Sequence, residues 1–384
     1  MIDFCCRWRR FLFCVAPLFA LLAACDNGVP KVTPPVVTTY VSVKWEDLPA
    51  TSDDDLLAGF NAWYSACARM ANDKVWKTTC SAAAQIPPNA AAVREFLKSN
   101  LQVYSLRSAD KGTKGLITGY FEPIYKGSLE RTDTTTVPVY GVPDDLVVVA
   151  LDSIYPELKG KRLRGRLEGR TLKPYDDAAT IDRQGASAPV LAWLSNPMDL
   201  QFLQIQGSGR IQLDSGKQLR IGYADQNGHP YKPVGRWLVD HDQLKKEELS
   251  MGRIRDWATA NPDQVPELLA SNPSYVFFGI RPESNEGPRG SLNVPLTAGY
   301  SVAIDRKVIP LGSLLWLSTT RPNGGGPIVR PVAAQDTGGA IAGEVRADLF
   351  TGTGVEAGEL AGNMKQAGQI WLLWPKDTAM PTVQ

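Results

Sequence analysis

The chain has 384 residues, 41 basic and 40 acidic, with a formal charge of +1, so its charge balance gives no reason to bind nucleic acid. Its 43% hydrophobic content and 10 tryptophans exclude a disordered tail and indicate a packed core. Only two histidines are present, and four of the six cysteines lie within the first 25 residues, which argues against a zinc site or any other metal or cofactor centre.

The chain opens on a targeting segment. Arg7, Arg9 and Arg10 form a positive stretch, and Phe11 to Ala24 is apolar but short for a permanent membrane span. The run stops at Leu22-Ala23-Ala24-Cys25. Small residues directly before a cysteine resemble the bacterial lipobox, where the peptide is cut before the cysteine and the cysteine is acylated. Residues 1–24 then form a lipoprotein signal peptide and Cys25 is the lipidation site; the other reading is an ordinary secretory signal. Several acyl chains together give stable anchoring. Cleavage removes Asp3 and the three arginines, and the formal charge moves from +1 to −1. Cys67 and Cys80 remain. In an oxidising compartment they suit a disulfide worth about 3 kcal/mol by chain entropy, with two buried thiols as the alternative.

Residues 25–45 are rich in Pro, Thr and Val without helical period, which predicts an extended tether. Leu56, Leu57, Phe60, Trp63, Tyr64 and Cys67 recur at helical spacing behind Asp53–Asp55, acids that suit a helix N-terminus. A second helix is expected over Ala91–Asn100. From residue 101 the pattern turns mainly β. Gln201-Phe-Leu-Gln-Ile-Gln206 alternates as a strand does, with Gln204 on the Phe202 side. Two runs about Asp214-Ser-Gly216 predict a hairpin. Short helices are expected at Arg253–Ala260 and Asp263–Ser271. Strands then follow at Tyr275–Phe278, Ser301–Ile304, Leu314–Leu317 and Ile328–Ala334, with a late helix through Ala357–Met364 and a final strand at Gln369–Trp374.

The last third holds Asp305, Asp336 and Asp348 in a Gly-rich, strand-like frame. Carboxyl groups can pass protons to and from sugar oxygens. His229 and His241 sit in turn and polar contexts away from any nucleophile motif, which disfavours a Ser-His-Asp hydrolase. Sugars present hydroxyls around apolar faces, so Thr118, Tyr120, Gln204 and Ser208 are candidates for substrate binding; Tyr120 suits a core position equally well. Asp225, Arg236 and Trp237 suit glycan or peptide contacts and structural roles alike.

Thr118-Gly-Tyr-Phe-Glu122-Pro, Phe202-Leu-Gln-Ile-Gln-Gly-Ser-Gly209, Gly222-Tyr-Ala-Asp-Gln-Asn-Gly228, Gly235-Arg-Trp237, Asn272-Pro-Ser-Tyr-Val-Phe-Phe278 and the three-aspartate region together resemble the membrane-bound lytic murein transglycosylase A (MltA) family. The C-terminal part also resembles the three-aspartate (3D) domain. The resemblance implies a mainly β fold: a six-stranded double-psi β-barrel from residues 46–122 and 276–376, its 3D motif at about 295–375, with a smaller β domain inserted at 123–275 and a glycan groove between them. It implies cleavage of the β-1,4 bond between N-acetylmuramic acid and N-acetylglucosamine in peptidoglycan, without water, leaving 1,6-anhydromuramyl ends. By resemblance Asp348 is the acid and then the base and Asp336 supports it, with a turn aspartate bonding the backbone of Thr337-Gly338-Gly339 as the other reading of Asp336. From its place before Val308-Ile-Pro-Leu-Gly312, Asp305 reads as a structural turn cap, and Glu122 as a possible second carboxylate more suited to structure. No cofactor is implied. The implied partners are glycan strands and a membrane, with other cell-wall proteins open. The implied location is the periplasmic face of the outer membrane; Asp26 keeps inner-membrane retention open. The rival readings are an inverting muramidase, with Asp336 or Glu122 as base, and a non-catalytic wall-binding lipoprotein.

Overall fold

A computed structural model describes residues 39–110, 112–158, 161 and 163–381. The expected signal peptide and the expected lipidation site, Cys25, lie outside the described residues. The tether expected to reach residue 45 ends sooner, because β1 (Thr39–Val43) pairs antiparallel with β2. Helices α1 (Asp53–Tyr64), α2 (Lys77–Ala83) and α3 (Ala90–Asn100) follow, then β2 (Leu101–Arg107) and β3 (Gly115–Glu122). The Ser52 hydroxyl caps α1 by accepting the Asp55 N–H, with Asp53–Asp55 in its first turn. Helix α1 packs closely on the barrel at Gly59, where a Cβ would stand 2.1 Å from the Pro331 carbonyl oxygen. A Cys67–Cys80 disulfide, with Cα atoms 5.4 Å apart, ties the end of this region to α2.

Beyond β3 the chain leaves for a second sheet. It runs through β4 (Ile124–Ser128), β5 (Val137–Tyr140), β6 (Val147–Val148), β7 (Arg164–Glu168), β8 (Thr171–Pro174), α4 (Ala178–Gln184) and β9 (Val190–Leu194). It continues with α5 (Pro197–Gln206), β10 (Ser208–Leu213), β11 (Gln218–Gln226), α6 (Val234–Asp240), α7 (Met251–Ala260), α8 (Val265–Ala270) and β12 (Val276–Arg281). The sheet order is β12-β11-β10-β4-β9-β5, with β6-β7-β8 as a small separate sheet. Strand β12 carries this sheet to Arg281, past the expected boundary at 275.

The segment Gln201–Gln206 is not a strand but the end of α5. Asn196 caps the helix by accepting the Met198 N–H at 2.8 Å, Pro197 fills its first turn, and Gly207 ends it with φ +73°. Alternation misled because α5 is sandwiched. Leu200 and Leu203 pack into the sheet core, while Met198 and Phe202 pack against α6, α7 and α8. Two apolar faces on one helix hide the 3.6-residue period.

The chain then returns as β13 (Ser301–Ile304), β14 (Leu314–Thr320), β15 (Pro327–Thr337), β16 (Arg346–Thr353), α9 (Val355–Asn363) and β17 (Lys365–Pro375). The order β17-β14-β15-β13-β16-β3 closes on itself through a β17–β3 pairing, giving a six-stranded barrel. Two parallel pairs, β13 with β15 and β16 with β3, sit among antiparallel ones. Of the region before residue 123, only β3 enters this ring; β1 and β2 extend the sheet from β17. The barrel interior takes Ile117, Val302, Ile304, Val332, Ala347, Leu349 and Leu372. No helix among the described residues is long and apolar enough to cross a membrane.

Candidate active site

Register brings four distant residues into one lateral row. Asp336 on β15 faces Ala303 on β13, Ala303 faces Asp348 on β16, and Asp348 faces Thr118 on β3. Ile117, Val302, Ile304, Ala347 and Leu349 turn into the barrel core, so Thr118, Ala303 and Asp348 alternate to its outer face. A bulge between β13 and β15 completes the row: Val302 pairs with Ala334, and Ala303 then pairs with Asp336. Gln335 is the extra residue. Its buried amide turns toward α1, donating to the Ala62 carbonyl at 2.6 Å and accepting the Ser301 hydroxyl at 2.6 Å. The bulge thereby carries Asp336 to the face of Asp348, as bulges near active sites do. Two strand spacings separate the aspartate backbones, about 10 Å. Ala303 is the residue paired with both.

Asp348 is partly covered. The Thr118 hydroxyl donates to its Oδ1 at 2.5 Å, and Arg346 Nη2 donates to that same hydroxyl oxygen at 2.8 Å. Burial holds the Asp348 carboxyl above the usual carboxylate range, and the Asp336 charge adds to this, while the Thr118 hydrogen bond and the Arg346 charge oppose it. Arg346 also donates to the Leu116 and Ala347 carbonyls, which fixes it at the head of β16.

Asp336 is more heavily engaged. Its Oδ1 accepts the Ser291 N–H and hydroxyl, both at 2.9 Å, and the Thr337 N–H at 2.8 Å. Its Oδ2 accepts the Tyr120 hydroxyl at 2.9 Å. Burial raises its pKa and these four donors oppose the rise. To reach Asp336 from β3, the Tyr120 ring leans on Phe350, with ring centroids 5.4 Å apart. The phenol is held well above its ordinary range by burial and by Asp336.

Glu122 lies on the same face of β3 as Thr118 but four residues on, about 13 Å at a strand rise of about 3.3 Å. It is 1% exposed. Its Oε2 accepts Arg210 Nε at 2.8 Å and the Thr353 hydroxyl at 2.9 Å, and Arg220 lies 3.9 Å from Oε1. It joins the barrel to the second sheet. Asp305 accepts the Lys307 and Gly343 N–H groups, each at 3.0 Å, and so organises the turn after β13.

Gln204 is on α5, and its covered Nε2 finds no partner among the described residues. Two residues on, Gln206 Oε1 accepts the Phe121 N–H at 3.1 Å, docking the end of α5 on β3. Ser208 opens β10 beside it. Asp225 pairs with Arg164 at 2.8 Å, and Trp237 stacks on His241 at 4.1 Å. His229 lies 2.7 Å from the Tyr175 carbonyl, so neither histidine joins the aspartates.

Arg346 and Ser291 were not anticipated. Arg346 is two residues before Asp348, and on a strand that spacing shares a face, so period-two reading alone would have found it. Ser291 lies in a connection without periodicity, and no sequence signal marks it.

The MltA specific insert domain matches residues 116–279, and the 3D domain matches residues 300–374. Membrane-bound lytic murein transglycosylase A of Escherichia coli K12 is 32% identical over 287 residues, 73% of this chain and 71% of that protein. A crystal structure of MltA from Neisseria gonorrhoeae superposes with a TM-score of 0.78 at 34% identity, covering 92% of this chain and 98% of the other. E. coli MltA with bound chitohexaose gives 0.68 at 26% identity, over 89% and 96%.

Proposed function

The chain belongs to the membrane-bound lytic murein transglycosylase A family, and on that premise we propose that it cleaves the muramyl β-1,4 bond of peptidoglycan without water, using Asp348 alone as acid and base. Protonated Asp348 donates to the glycosidic O4 as the C1–O4 bond breaks. The muramyl C6 hydroxyl attacks C1, the C1–O6 bond forms, and the hydroxyl proton passes to the Asp348 carboxylate. The 1,6-anhydro ring closes, the acid is regenerated, and no water is consumed. A single carboxyl suffices, whereas hydrolysis by inversion needs a second one as base.

The observation that carries this reading is the unequal state of the carboxyl groups. Burial raises both aspartates, but Asp348 has one hydrogen-bond donor to oppose the rise where Asp336 has four, so Asp348 is the one disposed to hold a proton. Asp336 is engaged by four donors and Glu122 by arginine, so neither is disposed to activate water. Thr118 and Arg346 position Asp348. Asp336 positions Tyr120 and holds Ser291 in place. Gln204, with its unpartnered amide, and Ser208 bind glycan hydroxyls. The barrel is the catalytic unit and the second sheet forms a groove wall. A relative crystallised with chitohexaose supports an oligosaccharide ligand. Cys25 carries the lipid, and the protein faces the periplasm from the outer membrane.

Mass spectrometry of products from purified sacculi tests the reading. Wild type is expected to release anhydromuropeptides, and Asp348→Asn essentially none. Reducing ends would indicate an inverting muramidase, and binding without release a non-catalytic protein. Loss of membrane association in Cys25→Ala tests the anchor.

A further inference from the structure

Away from the aspartates, β10 and β11 place Arg210 directly opposite Arg220. Like charges in a cross-strand pair repel unless something neutralises them. Glu122 beneath is the shared counter-ion, close to Arg210 but 3.9 Å from Arg220. Arg220 is 9% exposed, and its Nη atoms donate to the Ser284 and Gly287 carbonyls at 3.1 and 2.9 Å. Its Nε finds no partner among the described residues. Around these groups is an open depression of about 270 Å³, lined also by Lys217, Gln218, Glu283 and Asn285. Lys217 is exposed and makes no ion pair among the described residues. The depression and its surroundings hold four cations, Arg210, Lys217, Arg220 and Arg289, against three carboxylates, Glu283 on the rim, Glu122 below and Glu286 close by, which leaves one positive charge in excess.

A second depression, about 580 Å³, meets the first at Asn285 and runs along Leu296 and Thr297 to Phe350 and Thr353 on β16. Phe350 is two residues from Asp348 on the same strand face. The two depressions therefore run from the arginine pair to Phe350, the neighbour of Asp348 on that face of β16. The distance is set by Glu122, which pairs with Arg210 and lies about 13 Å along β3 from Thr118. A peptide of about four residues, extended at roughly 3.4 Å each, covers that span.

Resting on the function proposed above, we infer that the Arg210–Arg220–Lys217 depression binds a free carboxylate of the peptide carried by the muramyl sugar. The substrate supplies such carboxylates, and the second sheet supplies a buried guanidinium beside an exposed ammonium to receive one. The sheet would then read whether the glycan bears peptides, apart from its cleavage.

Calorimetric titration of the full chain with a free acidic wall tetrapeptide tests this independently of catalysis. Wild type is expected to bind the peptide, with affinity falling as salt rises, and to bind the fully amidated peptide at least tenfold more weakly. Lys217→Glu, an exposed change that leaves the core intact, is expected to weaken binding at least tenfold. Absence of binding by wild type, equal binding of the amidated peptide, or unchanged affinity in Lys217→Glu overturns the inference. In a parallel assay, Lys217→Glu should raise KM more on peptide-bearing sacculi than on peptide-free glycan; an equal rise on both also overturns it. Failure of wild type to cut any glycan refutes the function instead and leaves the titration to be read on its own.

Discussion

Replacing Thr118 by Val removes the hydroxyl that donates to Asp348 while keeping side-chain shape. That hydrogen bond favours the ionised carboxylate, so its loss raises the Asp348 pKa further. A hydrogen bond to a charged group is worth about 1.5–3 kcal/mol. At 1.36 kcal/mol per pKa unit this is an upward move of about 1–2 units. In the proposed mechanism Asp348 acts as an acid first, so activity is expected to fall as pH rises through its pKa. The basic limb of the pH profile for muropeptide release should therefore move up by about 1–2 units. The plateau below it should fall less than tenfold, because a weaker acid donates somewhat less readily. Thr118→Ser restores the donor and should return the limb to its wild-type place. Arg346→Gln removes an opposing positive charge and should shift the limb in the same upward direction. A basic limb unmoved in Thr118→Val would refute Asp348 as the titrating acid, and a downward shift would refute the assigned direction of the hydrogen bond.

Asp348→Asn should melt higher than wild type at neutral pH. The folded-state pKa is raised, so the protonated carboxyl is tolerated below the unfolded value near 4, and stability is lost as pH rises through the folded value; thermal unfolding at several pH values should show the difference closing in acid. Glu122→Ala leaves the buried Arg220 and the half-buried Arg210 without their carboxylate and should cost about 3–5 kcal/mol in urea unfolding. Joint Cys67→Ser and Cys80→Ser replacement should lower stability by about 3 kcal/mol, the chain-entropy value for a loop of this length, again read by urea.

The sequence made the barrel strands legible where chemistry and period agree. Ser301–Ile304, Leu314–Leu317 and Ile328–Ala334 all lie within strands, because β-branched and apolar runs are bounded there by Gly and Pro. The double-psi closure was not readable from pattern and came only through family resemblance, since a ring joining residues 115–122 to 301–375 has no local signature. Helix α5 was misread because both its faces are apolar, though Asn196-Pro197 and Gly207 marked its ends. At the site, the residue types of Asp336, Asp348, Thr118 and Tyr120 stood out. Their mutual arrangement did not, because it depends on the Gln335 bulge, and one extra residue in a strand reverses which side chains face out.

Strand β17 sits between β14 on one side and β2 and β3 on the other, and it is the last strand of the ring. Trp371 finds Ser105 and Lys365 finds Thr118 across most of the chain's length, so the ring can shut only when synthesis is nearly finished. A growing chain has Thr118 long before it has Asp348 and the keystone strand beyond it. A protein built to cut the wall thus stays harmless until its final stave is in place, and a deletion near its C-terminus should leave an open, inert half-shell.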